Sequence, residues 1–156
     1  MASDNTVTIE NAELIFRNFS GKEGRYNREG QKTFCVFLDD PDVVAQFEVD
    51  GWNVKYLQPR EEGDLPRAYL PVEARYDTRP PNVVMITESG KTHLDADSIE
   101  VLDWADIRLV DLVVNPFDWG DPKGEHGRKA YLKTMFVTIN EDDLERKYAK
   151  LEQVQD

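Results

Sequence analysis

The chain has 156 residues, of which 40% are hydrophobic and 32% charged, with a formal net charge of −12. This composition is typical of one soluble globular domain, and the acidic balance argues against indiscriminate binding to duplex DNA or to anionic membranes. The single cysteine, Cys35, excludes an intramolecular disulfide and fits a cytoplasmic protein, and neither a signal peptide nor a run of about 20 apolar residues is found.

Alternating and continuous apolar runs predict a chain dominated by strands. The strands are predicted at residues 7–19, 33–38, 52–57, 68–76, 83–87, 91–94, 107–114 and 130–139. Pro71 lies in the fourth run and indicates an edge position or a bulge. Many short strands without regular βαβ alternation favour an antiparallel barrel or sandwich.

Three short helices are predicted in addition to the strands. An Asp-Pro pair at residues 40–41 begins the first helix and Gly51 ends it. The second begins near Asp97, with Glu100 as its capping-box partner. The third lies within residues 140–156, a C-terminal helix or tail of the single domain that the whole chain is expected to form.

The glycine loop, residues 17–32, is basic within this acidic chain. It holds five basic residues and two acids, so the other residues of the chain sum to −15. Glycines allow a backbone to approach a ligand closely, and cations beside an aromatic ring can hold phosphates while the ring stacks on a base. The alternative is a solvated hairpin tip. The candidate binding residues of this loop are Arg17, Lys22, Arg25, Tyr26, Arg28 and Lys32.

A second segment, residues 117–131, repeats the same order of aromatic, glycine and cationic residues with wider spacing. Its candidate binding residues, with one from the strand that follows, are Trp119, Lys123, Arg128, Lys129, Tyr131 and Lys133. Since the two segments belong to the first and last hairpins, we expect both on one side of an oligonucleotide-binding (OB) barrel, where they would clasp the ligand. The alternative is that two hairpin tips are alike because tips favour glycine.

Acidic residues are concentrated away from these loops. Residues 39–50 and 95–106 each contain five acids and no base, and both are predicted to be helical. This separation of charge favours a nucleic-acid site on the loops. Trp52 and Trp104, beside the helix ends, are expected to be core anchors, whereas Trp119 is the better candidate for base stacking.

Other chemistry is not indicated by the sequence. His93 and His126 are isolated and there is one cysteine, so no metal site is predicted. Phosphate-binding, dinucleotide-binding and nucleophile-elbow motifs are also missing, so we expect neither a cofactor nor enzymatic activity. A metal-dependent nuclease stays open as an alternative, and it would require a divalent cation.

Seven segments together resemble a known family. They are Val7-Thr-Ile-Glu-Asn11, the loop at 19–30, Phe34-Cys-Val, Asp50-Gly-Trp-Asn-Val-Lys55, the run from Arg79 to Thr87, Leu102-Asp-Trp104 and the run from Lys129 to Ile139. They resemble the small single-stranded DNA-binding proteins of tailed phages, especially phages of actinobacteria.

The resemblance implies an OB-type barrel that coats single-stranded DNA during phage replication or recombination, in the infected host cell and without enzymatic activity. Phage replication or recombination proteins and a second copy of the chain are the further candidate partners. The competing hypothesis is a phage structural or protein-interaction module, in which the acidic helices form the contact surface and the basic loops are solvated.

Overall fold

The computed structural model describes residues 6–25 and 28–140. The strands are β1 (Val7–Ala12), β2 (Leu14–Asn18), β3 (Lys32–Leu38), β4 (Lys55–Leu57), β5 (Arg67–Ala74), β6 (Asn82–Thr87), β7 (Gly90–Leu94), β8 (Ile107–Gly120) and β9 (His126–Ile139). Helix α1 (Pro41–Val49) lies between β3 and β4, and a 3-10 helix (Ile99–Asp103) precedes β8. The third predicted helix, after Asn140, lies outside the described residues.

Six strands form a hydrogen-bonded path in the order β1-β8-β9-β5-β3-β2. Neighbours along this path are antiparallel except β5 and β9, which are parallel. Glu13 alone separates β1 from β2, so the two ends of the path are consecutive parts of one bent strand. The architecture is a mainly β, OB-like barrel whose sheet is not closed by hydrogen bonds, and the predicted fold class is confirmed.

The barrel interior follows from alternation along the strands. In β5 every second residue from Ala68 to Ala74 is buried, and the residues between them face outward. Phe34 of β3, Leu112 of β8 and Met135 of β9 are also buried. Burial of a large apolar side chain stabilises the fold by about 1.5–3 kcal/mol. This core therefore fixes which side chains of β3, β5 and β9 lie on the outer face of the barrel.

Helix α1 forms where the sequence predicts it. The Asp40 carboxylate accepts a hydrogen bond from the backbone N–H of Asp42 at 2.9 Å, and Pro41 is the first helical residue. Gly51 follows the end of the helix with φ +88°, a left-handed conformation that glycine adopts at low cost. Phe47 is buried and stacks on Trp52 at 5.5 Å, so Trp52 is a core anchor as predicted.

The second predicted helix is a 3-10 helix of five residues, and its predicted capping box is wrong. The Asp95 side chain instead accepts hydrogen bonds from the backbone N–H groups of Asp97 and Ser98, at 3.0 and 2.9 Å. This turn satisfies the free N–H groups before the helix begins, so Glu100 is not needed as a cap.

The hairpin of β8 and β9 is longer than predicted. Phe117 pairs with Lys129, and Trp119 pairs with Gly127, so both pairs belong to strands rather than to a loop. Only residues 121–125 connect the two strands. The glycines and charges of residues 117–131 suggested a longer loop. The two backbones nevertheless continue to hydrogen-bond to each other as far as Gly120 and His126, so most of this segment belongs to the hairpin strands.

Candidate nucleic-acid interface

The outer face of β3, β5, β8 and β9 carries aromatic and cationic side chains in register. One row across the sheet joins Thr33 to Glu73, Glu73 to Tyr131 and Tyr131 to Asn115. Residues directly opposite each other in paired strands project from the same face. Tyr131 therefore lies in the middle of this face, between β5 on one side and β8 on the other.

Tyr131 is fixed by two contacts. Its ring stacks on Phe117 with centroids 5.2 Å apart and an interplanar angle of 26°. Arg75 donates a hydrogen bond from Nη1 to the Tyr131 hydroxyl at 3.2 Å. This bond, with those to nearby carboxylates, raises the pKa of Arg75, which stays cationic. The result is an oriented aromatic pair with a permanent cation at its edge.

Two lysines flank the aromatic pair. Lys129 lies opposite Phe117 in the β8–β9 ladder, and Lys133 is two residues beyond Tyr131. Both side chains are exposed, and no ion pair involving either is found among the described residues. Solvated ammonium groups on either side of a ring can follow a phosphate backbone while bases contact the ring.

Trp119 lies near the end of β8, with 39% of the residue exposed. A Cβ atom added to Gly127 would lie 2.9 Å from Trp119 Nε1, so the indole rests on the bare backbone of that glycine. Lys123 is exposed in the connection between the strands. Trp119, the residue predicted to stack on a base, thus lies in a strand, and its indole packs against Gly127 on the opposite strand.

Arg128 is engaged within the protein. It pairs with Asp118 at 2.7 Å and lies 5.6 Å from the Trp52 ring. The hydrogen bond from Arg128 lowers the pKa of Asp118, and the carboxylate in turn raises the pKa of Arg128. Its predicted phosphate contact would have to compete with this ion pair, which lies near the tip of the β8–β9 hairpin.

The glycine loop is held together by backbone contacts. Gly21 has φ +74°, and a Cβ at this position would lie 3.0 Å from the backbone of Gly30. Gly30 donates its N–H to the Gly21 carbonyl at 2.8 Å. The Asp103 carboxylate accepts hydrogen bonds from the N–H groups of Phe19 and Ser20, which anchors the loop to the 3-10 helix.

The cations of the glycine loop fall into two groups. Arg17 donates from Nη1 to the carbonyls of Leu102 and Ala105, both at 2.9 Å, and Lys32 donates from Nζ to the carbonyl of Phe19 at 3.0 Å. These two residues anchor the loop, a role that the sequence did not predict. The other described cations of the loop, Lys22, Arg25 and Arg28, are exposed. Tyr26 lies outside the described residues.

A cleft of about 560 Å³ joins the glycine loop to the outer face. Arg28 and Lys32 line one side, and Arg75 and Tyr76 line the other. Because Arg75 also contacts Tyr131, the cleft leads from the loop cations to the aromatic pair. Acids are present as well, including Glu73, which lies in an ion pair with Arg75 at 3.4 Å.

The expectation that both loops lie on one side of the barrel, where they would clasp the ligand, is wrong. Lys32, beside the glycine loop, pairs with Ala74 at the end of β5. The β8–β9 connection leaves toward the opposite end, because β9 runs parallel to β5 with Ala130 opposite Val72. Arg128, nearer the connection, bridges to Trp52 at the α1 end of the barrel. The loops therefore mark two ends of one face.

The structure adds residues that sequence reasoning missed. Arg75, Phe117 and Tyr69 lie on the outer face, and the alternation within residues 68–76 could have indicated Tyr69 and Arg75. Trp104 was expected in the core, but 67% of it is exposed. It follows the short 3-10 helix, which buries Ile99 and Leu102 instead and turns the indole away.

Cys35, the single cysteine, is half-buried. It lies on β3, opposite Pro71 of β5. Burial raises the pKa of Cys35 to about 11, which the positive charge of Lys55 partly offsets. Within the part of the chain that the structure describes, no group of three or more metal-ligating residues is found. None of the described helices has the length and apolar content needed to cross a membrane.

An OB-like barrel with stacked aromatics and cations on its outer face is the architecture of an oligonucleotide-binding domain. A family model described as "Putative phage ssDNA-binding domain" matches residues 2–156. The match covers nearly the whole chain, and the protein belongs to this family of phage single-stranded DNA-binding domains. The predicted family is confirmed.

Two solved forms of one phage protein share the fold of this chain. The chain is 12% identical to the single-stranded DNA-binding protein of bacteriophage Enc34, with a TM-score of 0.52 over 88% of this chain and 82% of that one. A C-terminally truncated form of that protein gives 12% identity and a TM-score of 0.51, over 88% and 87%. The gp2.5 single-stranded DNA-binding protein of bacteriophage T7 is 9% identical, with a TM-score of 0.42 over 90% and 92%. A search of curated proteins found no match.

Proposed function

We propose that this protein binds single-stranded DNA with little sequence preference, through the outer face of β5, β8 and β9. Bases stack on the Phe117–Tyr131 pair, and phosphates contact Lys129 and Lys133. The observation that supports this most directly is the stacked pair itself, oriented by Arg75 and flanked by two exposed lysines on a protein of net charge −12.

The cations of the glycine loop extend this site. The cleft beside Arg28 leads to Arg75, so a strand leaving Tyr131 meets the exposed cations Lys22, Arg25 and Arg28 at that end. Toward the other end of the face it meets Trp119 and Lys123. A stacked base contributes roughly 1–3 kcal/mol with any sequence, because every base offers a π face. The acidic segments around α1 and the 3-10 helix repel DNA elsewhere on the surface.

In the phage, such binding would coat single-stranded DNA during replication or recombination in the cytoplasm of the infected cell. The site belongs to one domain formed by residues 1–156. No catalytic step is part of this function, so a bound oligonucleotide should stay intact when Mg²⁺ is added. Phage replication or recombination proteins and a second copy of the chain are the proposed further partners.

Titration of the full chain with oligo-dT and with a duplex of equal length, at several salt concentrations, tests the proposal. We expect tighter binding of oligo-dT and an affinity that falls as salt rises, because phosphate contacts release counterions. Equal binding of duplex and single strand would contradict the proposal, as would an affinity that does not respond to salt. Cleaved oligonucleotide in the presence of Mg²⁺ would contradict its non-enzymatic part.

A further inference from the structure

An apolar groove borders the outer face at its β2 edge. It has a volume of about 380 Å³, within the range of roughly 300–1,000 Å³ that is usual for small-ligand sites. The residues that line it come from β2, the end of β4, the connection from β4 to β5, and the start of β5. They are Ile15, Phe16, Leu57, Gln58, Pro59, Arg60, Leu65 and Arg67.

Phe16 forms one wall of the groove in an unusual backbone conformation. Its φ is +55°, which is rare for a bulky side chain and requires support from the surrounding structure. The β2–β3 register shifts between Ile15 and Asn18, so Phe16 lies in a bulge. Its side chain is not taken into the core, and 54% of the residue is exposed. Bulges re-aim side chains, and this one places an aromatic ring at the groove.

Exposed apolar residues continue the surface beyond Phe16. Leu65 is 87% exposed, and Leu57 is also exposed. Single exposed apolar residues need no explanation, but a cluster that lines a groove indicates a binding surface.

The groove is continuous with the proposed DNA-binding face. Phe16 meets the Tyr69 ring edge-on, with centroids 5.7 Å apart. Tyr69 pairs with Phe37 on one side and with Lys55 on the other, on the outward side of β5. A strand of DNA that follows the outward side of β5 to Tyr69 therefore arrives beside the groove.

The Arg67 side chain in the groove is already neutralised by two carboxylates, so the groove favours an uncharged ring of a ligand over a phosphate. The Arg67 guanidinium is paired with Asp39 at 2.8 Å and with Glu13 at 3.2 Å. It lies flat on Phe37, 3.6 Å from the ring centroid, so it serves as a wall. Arg60 is exposed at the groove, where it can contact a phosphate beside a bound ring.

We propose that the Phe16 groove is a nucleobase subsite, separate from the Phe117–Tyr131 pair, that receives one base of the bound single strand. The base packs against the Phe16 ring and is enclosed by Leu57 and Leu65. This inference rests on the proposed function, since the base belongs to the strand that the outer face binds. Its occupant is a base rather than a protein side chain because the groove continues the DNA-binding face.

The test combines groove variants with oligo-dT in which one abasic position is moved along the strand. Phe16→Leu removes the ring and keeps a branched side chain at the same φ, and Leu65→Ser removes an exposed wall. Val49→Ser is the matched control, because Val49 is 81% exposed and does not line the groove. Melting temperatures show whether each variant is folded. If Phe16→Leu is not folded, the affinity of Leu65→Ser for oligo-dT tests the subsite.

Phe16→Leu should weaken oligo-dT binding by about fivefold or more, the lower end of what one stacked base provides. Leu65→Ser should weaken it by about threefold, because part of the leucine surface is covered by the base. Val49→Ser should bind like the wild type. One abasic position should weaken binding to the wild type but not to Phe16→Leu, since base and ring act as a pair.

The subsite proposal would be overturned if folded groove variants bind oligo-dT like the wild type and respond to each abasic position as the wild type does. The groove would then be a candidate site for a protein partner. The proposed function would survive that result, because wild-type binding to oligo-dT is measured in the same titration. If the wild type itself does not bind oligo-dT, the proposed function and the subsite both fail.

Discussion

Tyr131, in the middle of the proposed site, is held in one orientation by its neighbours. Its hydroxyl is fixed by Arg75 and one face of its ring is covered by Phe117. Because the ring is already oriented, little side-chain entropy remains to be lost when a base stacks on it. Aromatic pairs of this geometry also stabilise the fold, so affinity and stability have to be measured separately.

Tyr131→Ala should weaken oligo-dT binding by roughly 1–3 kcal/mol and leave the salt dependence nearly unchanged, because stacking releases few counterions. Fluorescence anisotropy at several salt concentrations measures both quantities. Tyr131→Phe is the control, since it keeps the ring and loses only the bond from Arg75, and it should bind nearly as well as the wild type. A lower melting temperature with unchanged affinity would mean that Tyr131 only supports the fold.

Substitution of Gly127 tests whether Trp119 stacks on a base, without changing the indole itself. The added Cβ of Gly127→Ala would approach the ring to 2.9 Å, so the indole must move. We expect this variant to weaken oligo-dT binding about as much as Trp119→Ala does, roughly 1–3 kcal/mol, if Trp119 stacks on a base.

Gly120→Ala is the matched control in the same hairpin, because its added Cβ meets nothing closer than 3.7 Å and should leave affinity unchanged. Tryptophan emission reports whether the indole has moved. A Gly127→Ala protein with shifted emission and wild-type affinity would remove Trp119 from the binding face.

At the scale of elements, helix α1 is fixed by its own ends. The Asp40 cap, Pro41 at the first position and the left-handed Gly51 all lie within eleven residues of one another, and each acts locally. The β8–β9 hairpin depends instead on pairing across the sheet, where each strand has 14 residues. Local signals therefore located the helix well and underestimated the hairpin.

Asp40→Ala should destabilise the protein by about 1 kcal/mol, because the backbone N–H of Asp42 loses its acceptor. For a chain of this length that corresponds to a fall in melting temperature of roughly 2–4 °C. Asp40→Asn keeps a good capping side chain and should differ little from the wild type. Thermal denaturation followed by circular dichroism distinguishes the two, and equal stability of all three proteins would show that the cap is not needed.

At the scale of the whole molecule, the proposed DNA-binding face carries exposed cations on a chain whose formal net charge is −12. Lys129 and Lys133 lie on that face, whereas Glu100 and Asp106 lie near the exposed Trp104. Trp104 is more exposed than Trp119, and it lies in the acidic segment of residues 95–106. Exposure alone does not identify a stacking residue, because the field around the ring decides which ligand can approach it.

Lys133→Gln and Lys129→Gln should each reduce the slope of log affinity against log salt by up to about 0.7 for a contact to single-stranded DNA. The change follows from one fewer counterion displaced. Measurement of oligo-dT affinity at four or more salt concentrations gives the slope. Unchanged slopes in both variants would mean that phosphates do not follow this face.

Arg17→Gln is the control for these lysines, since its guanidinium is bound to the carbonyls of Leu102 and Ala105. We expect it to lower stability by removing the tie between β2 and the 3-10 helix, with little effect on the salt slope. A large slope change in a folded Arg17→Gln protein would show that Arg17 contacts phosphate as the sequence predicted.

The sequence by itself determined the features that depend on neighbouring residues. Alternation placed Tyr69 and Arg75 on one side of their strand, the caps located α1, and the clusters of cations and glycines indicated nucleic acid. Such signals are local, because strand period, capping and turn chemistry act over a few residues. The family resemblance also belongs here, and the family model confirms it.

Only the tertiary structure decided which of these residues meet. Arg75 and Tyr131 are 56 residues apart in sequence, and their contact depends on the parallel pairing of β5 with β9. That same pairing sends the two basic loops to opposite ends of one face. Lys32 is anchored to a carbonyl, and Trp104 is turned to the surface. Register and long-range packing set these outcomes, because a residue's type does not specify which partner the fold will bring to it.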